Sequence, residues 1–163
     1  VKYVAGSSLS RLEFGDADIA FRIGKEPEHP DYVVSPFAEI RLGLYASKDY
    51  LASAGSPDTK AASLLHDFVG IEDAHGKIDV VERLGVPVGR VVFSTNDPIV
   101  ALSAIQRGMG IGLVDHSFAG GADLVPLLGA EGEFTAQIWS VTHVSLHRSP
   151  LVQAFLTHIR EPR

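Results

Sequence analysis

Along this sequence the spacing of apolar residues keeps changing, short extended runs alternating with stretches that repeat every three to four residues. A strand buries a continuous run or every second residue, whereas a helix buries one stripe, so repeated switching between the two marks an α/β fold. Val1–Ala5, Asp18–Ile23, Phe68–Ile71, Arg90–Ser94, Ile111–Val114 and Leu124–Leu128 read as strands. The helical stretches between them are a turn with Leu9 and Leu12 stopped by Gly15, Lys48–Ala54 ended by Gly55, and a turn at Leu64 and Leu65. Ile78, Val81 and Leu84 then form a stripe that stops at Gly85. The best-defined helix is capped by Asn96 or Asp97, has Pro98 in its first turn, and turns Ile99, Leu102 and Ile105 inward before Gly108. The last one has Ser149 as cap, Pro150 at its first position, and Val152, Phe155, Leu156 and Ile159 on one face.

Two extended runs, 37–47 and 138–146, are longer than the others. A chain that crosses between two lobes twice needs two such strands. The expected division is then residues 1–44 with 141–163 in one lobe and 45–140 in the other. A single sheet with two long strands fits the same pattern. The 163 residues suffice for one ordinary domain or two small lobes, and 16 glycines favour many tight strand–helix turns over a helical bundle.

Composition removes several classes of function. With no cysteine, there is no disulfide scaffold, thiolate zinc site or thiol nucleophile. No apolar run approaches the roughly 18 residues of a membrane span, and no basic segment followed by an apolar one opens the chain. Fourteen basic residues are scattered among twenty acidic ones for a net charge of −6, so this chain alone is not expected to hold DNA phosphates. Gly108-Met109-Gly110-Ile111-Gly112 follows a helix and leads into a strand, the reverse of a dinucleotide fingerprint. Gly70 and Gly76-Lys77 have the wrong spacing for a phosphate loop, and Ile78 stands where Ser or Thr is needed. His143 and His147 are four apart, but in an extended run that separates them by roughly 13 Å. No metal or cofactor is expected, and no nucleophile elbow or other catalytic constellation signals an enzyme.

What remains is positional. In open α/β sheets, ligands bind beyond the carboxyl ends of strands, where helix N-termini present free N–H groups. Four strand exits carry small or polar groups: Gly6-Ser7-Ser8, Arg22, the run Glu72-Asp73-Ala74-His75-Gly76, and Thr95-Asn96-Asp97. Ser7, Ser8, Arg22, Asp73, Asn96 and Asp97 are therefore the candidate effector-binding residues. Arg22 favours a carboxylate through a charge-assisted bidentate bond, and a salt bridge to Asp16 or Asp18 is an equally good reading. Ser8, Asn96 and Asp97 are caps first, and ligand contacts only if a cleft exists.

At these residues the sequence resembles the effector-binding domain of LysR-type transcriptional regulators. Leu12-Glu13-Phe14-Gly15-Asp16-Ala17-Asp18-Ile19-Ala20-Phe21-Arg22-Ile23-Gly24 is similar to a helix-end and strand passage of that family. Leu44-Tyr45-Ala46-Ser47 with Tyr50-Leu51, Gly55 and Pro57 is similar to its crossover strand and following helix. Asn96-Asp97 with Ala104-Ile105 and Gly108 to Leu113, then Leu124-Val125-Pro126-Leu127-Leu128, continue the order. Trp139 to His143 and Ser149 to Leu156 resemble the return strand and final helix. The resemblance implies two Rossmann-like lobes of periplasmic-binding-protein type II, joined by two crossover strands, with a small-molecule effector in the cleft. In family terms Ser7 and Ser8 follow the second strand, Arg22 ends the third, and Asn96 opens the helix facing the cleft. A homodimer, a bacterial cytoplasmic setting, and DNA contact only through an N-terminal helix-turn-helix outside this chain are also implied. The first lobe is expected to lack its first strand and helix. A transport-type solute-binding protein, or an enzyme on the same binding-protein-like fold, is the competing reading.

Overall fold

The computed structural model describes all residues except 5–10, 74–75, 85–88, 122 and 161–163. In chain order it contains β1 (Ala20–Ile23), β2 (Tyr32–Ser47), α1 (Lys48–Ala54), β3 (Asp67–Ile71), α2 (Asp79–Leu84), β4 (Arg90–Thr95) and α3 (Pro98–Gln106). There follow β5 (Gly112–Asp115), α4 (His116–Ala119), β6 (Leu124–Pro126), β7 (Glu133–His143), α5 (Val144–His147) and α6 (Pro150–Arg160). Short 3₁₀ turns occupy Leu12–Phe14, Ala61–Leu65 and Gly129–Gly132. The chain divides into two compact units: Val1–Ser8 with Arg41–Phe134, and Leu9–Ile40 with Thr135–Arg163.

In the first of these, β3 runs parallel to β4, and β2 is antiparallel to both β5 and β6. A parallel bridge between Phe68 and Ile111 joins β3 to the start of β5. Consecutive strand residues feed different cores. Leu44, Phe68 and Leu113 lie with Tyr50 and Val80 in one cluster, whereas their neighbours Tyr45, Val69 and Val114 lie with Ala101, Ala104 and Ile105 in another. A sheet covered on both faces needs apolar groups at every strand position, which is why these strands read as unbroken apolar runs. Ser47 starts α1 by accepting the Tyr50 N–H at 3.2 Å, and Gly55, at φ 79°, ends it.

The glycine run after α3 has a steric reason. Gly108 takes φ 76°, the left-handed turn that ends the helix. A Cβ at Gly110 would lie 2.5 Å from the Asp67 carbonyl oxygen, and one at Gly112 would lie 2.9 Å from that of Val69. Glycine here lets the backbone entering β5 press against β3, where the Val69 N–H donates to the Ile111 carbonyl at 2.8 Å.

In the second unit β1 pairs antiparallel with β7, setting Arg22 opposite Trp139 and Phe21 opposite Ser140. The Trp139 indole N–H donates to the Gly24 carbonyl at 2.9 Å. On α6, Val152 and Leu156 are the fully buried positions.

Several elements differ from their sequence reading. Val1 to Val4 form no strand, and Val1, Tyr3 and Val4 are exposed; extended residues become a strand only where a ladder partner meets them. The two long strands start earlier than expected, at Tyr32 and Glu133. The second also stops sooner, because Val144 opens α5 and carries Leu146 and His147 into a helical turn. His143 is consequently a cap, its Nδ1 accepting from the Ser145 N–H, and His147 turns to Thr142. Among the described residues no group of three or more potential metal ligands occurs. Ile99 is 59% exposed, and small residues, Ala101 and Ala104, take the inward positions beside Ile105.

Candidate functional site

The parallel register of β3 and β4 brings two strand exits to one end of the first unit's sheet. Glu72 donates its N–H to the Thr95 carbonyl at 2.8 Å, and the Ser94 hydroxyl bonds to the Glu72 carboxylate. Asp73 and Asn96, the next residues along each strand, are thus neighbouring exits. The loop after β3 closes on itself: the Asp73 N–H donates to the Lys77 carbonyl at 2.9 Å, and Asp73 Oδ1 accepts the Lys77 N–H at 2.9 Å. Asp79 fixes the base of this loop, its Oδ1 accepting the Ile71 N–H at 2.9 Å and the Val80 N–H at 2.7 Å. Burial pushes the Asp79 carboxyl above the usual range, with these bonds and Arg83 opposing the rise.

Asp97 is the cap of α3. Its Oδ1 accepts from the Ile99 N–H at 2.8 Å and the Val100 N–H at 3.3 Å, and its own N–H donates to Thr95 Oγ1 at 3.1 Å. The first amides of this helix are therefore occupied by a carboxylate of the chain itself. With Glu72, Asp73 and Asp97 gathered here, this sheet end favours a ligand's hydroxyl or amino group over a second anion. Asn96 and Asp97 are exposed, as are Ile99 and Val100 in the first turn of α3.

In the second unit Arg22 is half-buried near the end of β1, its guanidinium 5.3 Å from the centre of the Tyr32 ring. The Tyr32 hydroxyl donates to Glu13 Oε2 at 2.7 Å. Burial foremost, then Glu13, raises the Tyr32 phenol, while Arg22 pulls it down. A backbone hydrogen bond and the Tyr32 hydroxyl lower the Glu13 carboxyl. Asp16 is turned to Arg11, whose N–H donates to Oδ2 at 3.1 Å.

The candidates thus fall into two groups, Asp73, Asn96 and Asp97 in one unit and Arg22 in the other. Ser7 and Ser8 lie outside the described residues. Periodicity gave no sign of Tyr32, Glu13 or Ser94. Tyr32 follows a loop rich in proline and charge, and only the fold shows that it meets residues ten and nineteen positions earlier.

Residues 4–162 match the family described as the LysR substrate binding domain. The chain belongs to that family. The full-length structure of the Vibrio cholerae virulence activator AphB is similar, with a TM-score of 0.70 and 20% identity, over 96% of this chain and 55% of that one. So is the CrgA regulatory domain of Neisseria meningitidis, with a TM-score of 0.69 and 18% identity, over 91% of this chain and 76% of that one. A probable transcriptional regulator of Pseudomonas aeruginosa has a TM-score of 0.75 and 16% identity, over 96% of this chain and 54% of its own. The LysR domain therefore spans about half the length of AphB and of the Pseudomonas aeruginosa regulator. No curated protein matches the sequence. As a LysR substrate binding domain, the chain has the periplasmic-binding-protein-like type II α/β fold and is a ligand-sensing regulatory domain of LysR-type regulators. None of its described helices is long and apolar enough to cross a membrane.

Proposed function

We propose that this domain senses a small metabolite and is built of two lobes, residues 1–44 with 141–163 and residues 45–140, whose boundaries fall within the long strands β2 and β7. The metabolite carries a carboxylate for Arg22 and a hydroxyl or amino group for Asp73, Asn96 and Asp97, with Ser7 and Ser8 completing the contacts. The observation that carries this reading is Arg22 itself: a half-buried guanidinium at a strand exit, positioned over a tyrosine ring. Binding favours one of two conformational states, and coupling is as large as the effector's differential affinity for those states. A helix-turn-helix elsewhere in a longer parent homodimer, in the bacterial cytoplasm, reads the shift on DNA. The domain acts by binding, without turnover or a cofactor.

A thermal-shift series against hydroxy acids, amino acids and aromatic acids tests this, repeated with Arg22→Ala. A native-state ligand raises the melting temperature in proportion to the logarithm of its concentration above Kd. The proposal expects a dose-dependent rise for one class that Arg22→Ala removes while the mutant still melts cooperatively. An equal rise in wild type and mutant would show that Arg22 does not hold the effector.

A further inference from the structure

The second unit holds a pocket of about 490 Å³ that includes none of the six effector candidates. One side is the sheet, from which Ser35 on β2 and Ser140 and Thr142 on β7 project; the other is α6, with Thr157 and Arg160, and His147 closes one end. Val33 and Leu156 supply apolar wall. Ser140 and Thr142 are buried, at 3% and 1% exposure, so their hydroxyls are built into the fold. Arg160 Nη2 donates to Ser140 Oγ at 3.2 Å, Ser140 Oγ donates to the Ser35 carbonyl at 3.2 Å, and Thr142 Oγ1 lies 2.9 Å from His147 Nδ1.

Two features point to an anion. The lining combines a guanidinium, an imidazole and several hydroxyls with no Asp or Glu, in a chain whose net charge is −6. The guanidinium donates hydrogen bonds with a charge matched to a carboxylate, and a lining without Asp or Glu sets no like charge against it. Its contact with Ser140 orients it without neutralising it. The register separates this pocket from the Arg22 network. Ser140 and Thr142 share one face of β7, Trp139 lies on the other, and Arg22 is paired opposite Trp139. Arg22 therefore stands on the far face of the sheet.

We propose that this pocket is a second binding site, for a small monocarboxylate with a short aliphatic tail. Arg160 holds the carboxylate beside the hydroxyls, and Val33 and Leu156 cover the tail. Calorimetric titration of the chain with sodium butyrate, at ionic strength held constant with sodium chloride, tests it. Saturable binding is expected, with the neutral analogue butyramide at least about tenfold weaker, as loss of a charge-assisted bond implies. Arg160→Met should weaken butyrate by about tenfold or more, while Arg22→Ala should change it by less than about twofold. Thr157→Trp, at an exposed helix position, should block the pocket without altering charge or folding, and it decides the matter if Arg160→Met does not fold. No saturable heat from the wild type would overturn the proposal. So would binding that survives Thr157→Trp, or that Arg22→Ala abolishes. Because Arg22 separates the two sites, failure here leaves the effector reading standing, and the converse also holds.

Discussion

Replacing Asp79 by Ala and by Asn tests how the loop beside the candidate site is held. One carboxylate oxygen receives the N–H of Ile71, at the end of β3, and of Val80, in the first turn of α2. Alanine leaves both donors without that acceptor. An unsatisfied partly buried amide costs about 1–3 kcal/mol, and loss of a helix-end acceptor about 1 kcal/mol, so Asp79→Ala should destabilise by about 2–4 kcal/mol. Asparagine keeps an acceptor and removes the poorly solvated charge, so Asp79→Asn should fall within about 1 kcal/mol of wild type. The pH dependence separates charge from hydrogen bond. Burial raises the folded-state pKa of Asp79, so between its unfolded and folded values the native state holds more protons, and stability falls as pH rises. Asp79→Asn should remove that downward contribution, leaving the mutant relatively better placed above the folded pKa than in acid. Urea unfolding at several pH values between 4 and 7.5 reads both effects. If Asparagine destabilises as much as alanine at every pH, the two amide bonds do not carry the role assigned to them.

Three further substitutions probe the frame of the domain by chemical or thermal unfolding. Asp97→Ala should cost about 0.5–2 kcal/mol by uncapping α3, and Asp97→Asn much less; equal losses would point to charge in place of capping. Gly110→Ala places a methyl 2.5 Å from a backbone oxygen and should cost about 1–3 kcal/mol, whereas a neutral result would mean that β5 and β3 can separate freely. Ile105→Ala should cost about 2–5 kcal/mol and Ile99→Gln less than about 0.5 kcal/mol; the reverse order would contradict the inward face described for α3.

How much of this was legible in the sequence depends on how local each signal is. Asp97, Pro98 and Gly108 mark α3 because capping and turn sterics act within a few residues. Gly55 and Gly15 likewise end their turns as the pattern suggests. Errors appear where a local pattern meets a distant partner. Val1 to Val4 read as part of a strand yet lie in none, since ladder bonds depend on a neighbour that spacing does not reveal. Ile99 looked inward by helical period, but the sheet beneath α3 is met by Ala101, Ala104 and Ile105.

The candidate sites follow the same rule. Arg22 was visible as a cation at a strand exit, but its partner Tyr32, and through Tyr32 Glu13, emerged only once β1 and β2 were in place. The six-residue effector set rests on strand exits, which topology can suggest. The pocket beneath α6 rests on Ser35, Ser140, Thr157 and Arg160, residues ordinary in sequence and informative only through shared faces. Alternation along β7 makes the difference physical: one residue of shift exchanges the Trp139 face for the Ser140 face. A register error in that strand would merge the two sites into one, so the contrasting responses to Arg22→Ala and Arg160→Met test the strand pairing as well as the ligands.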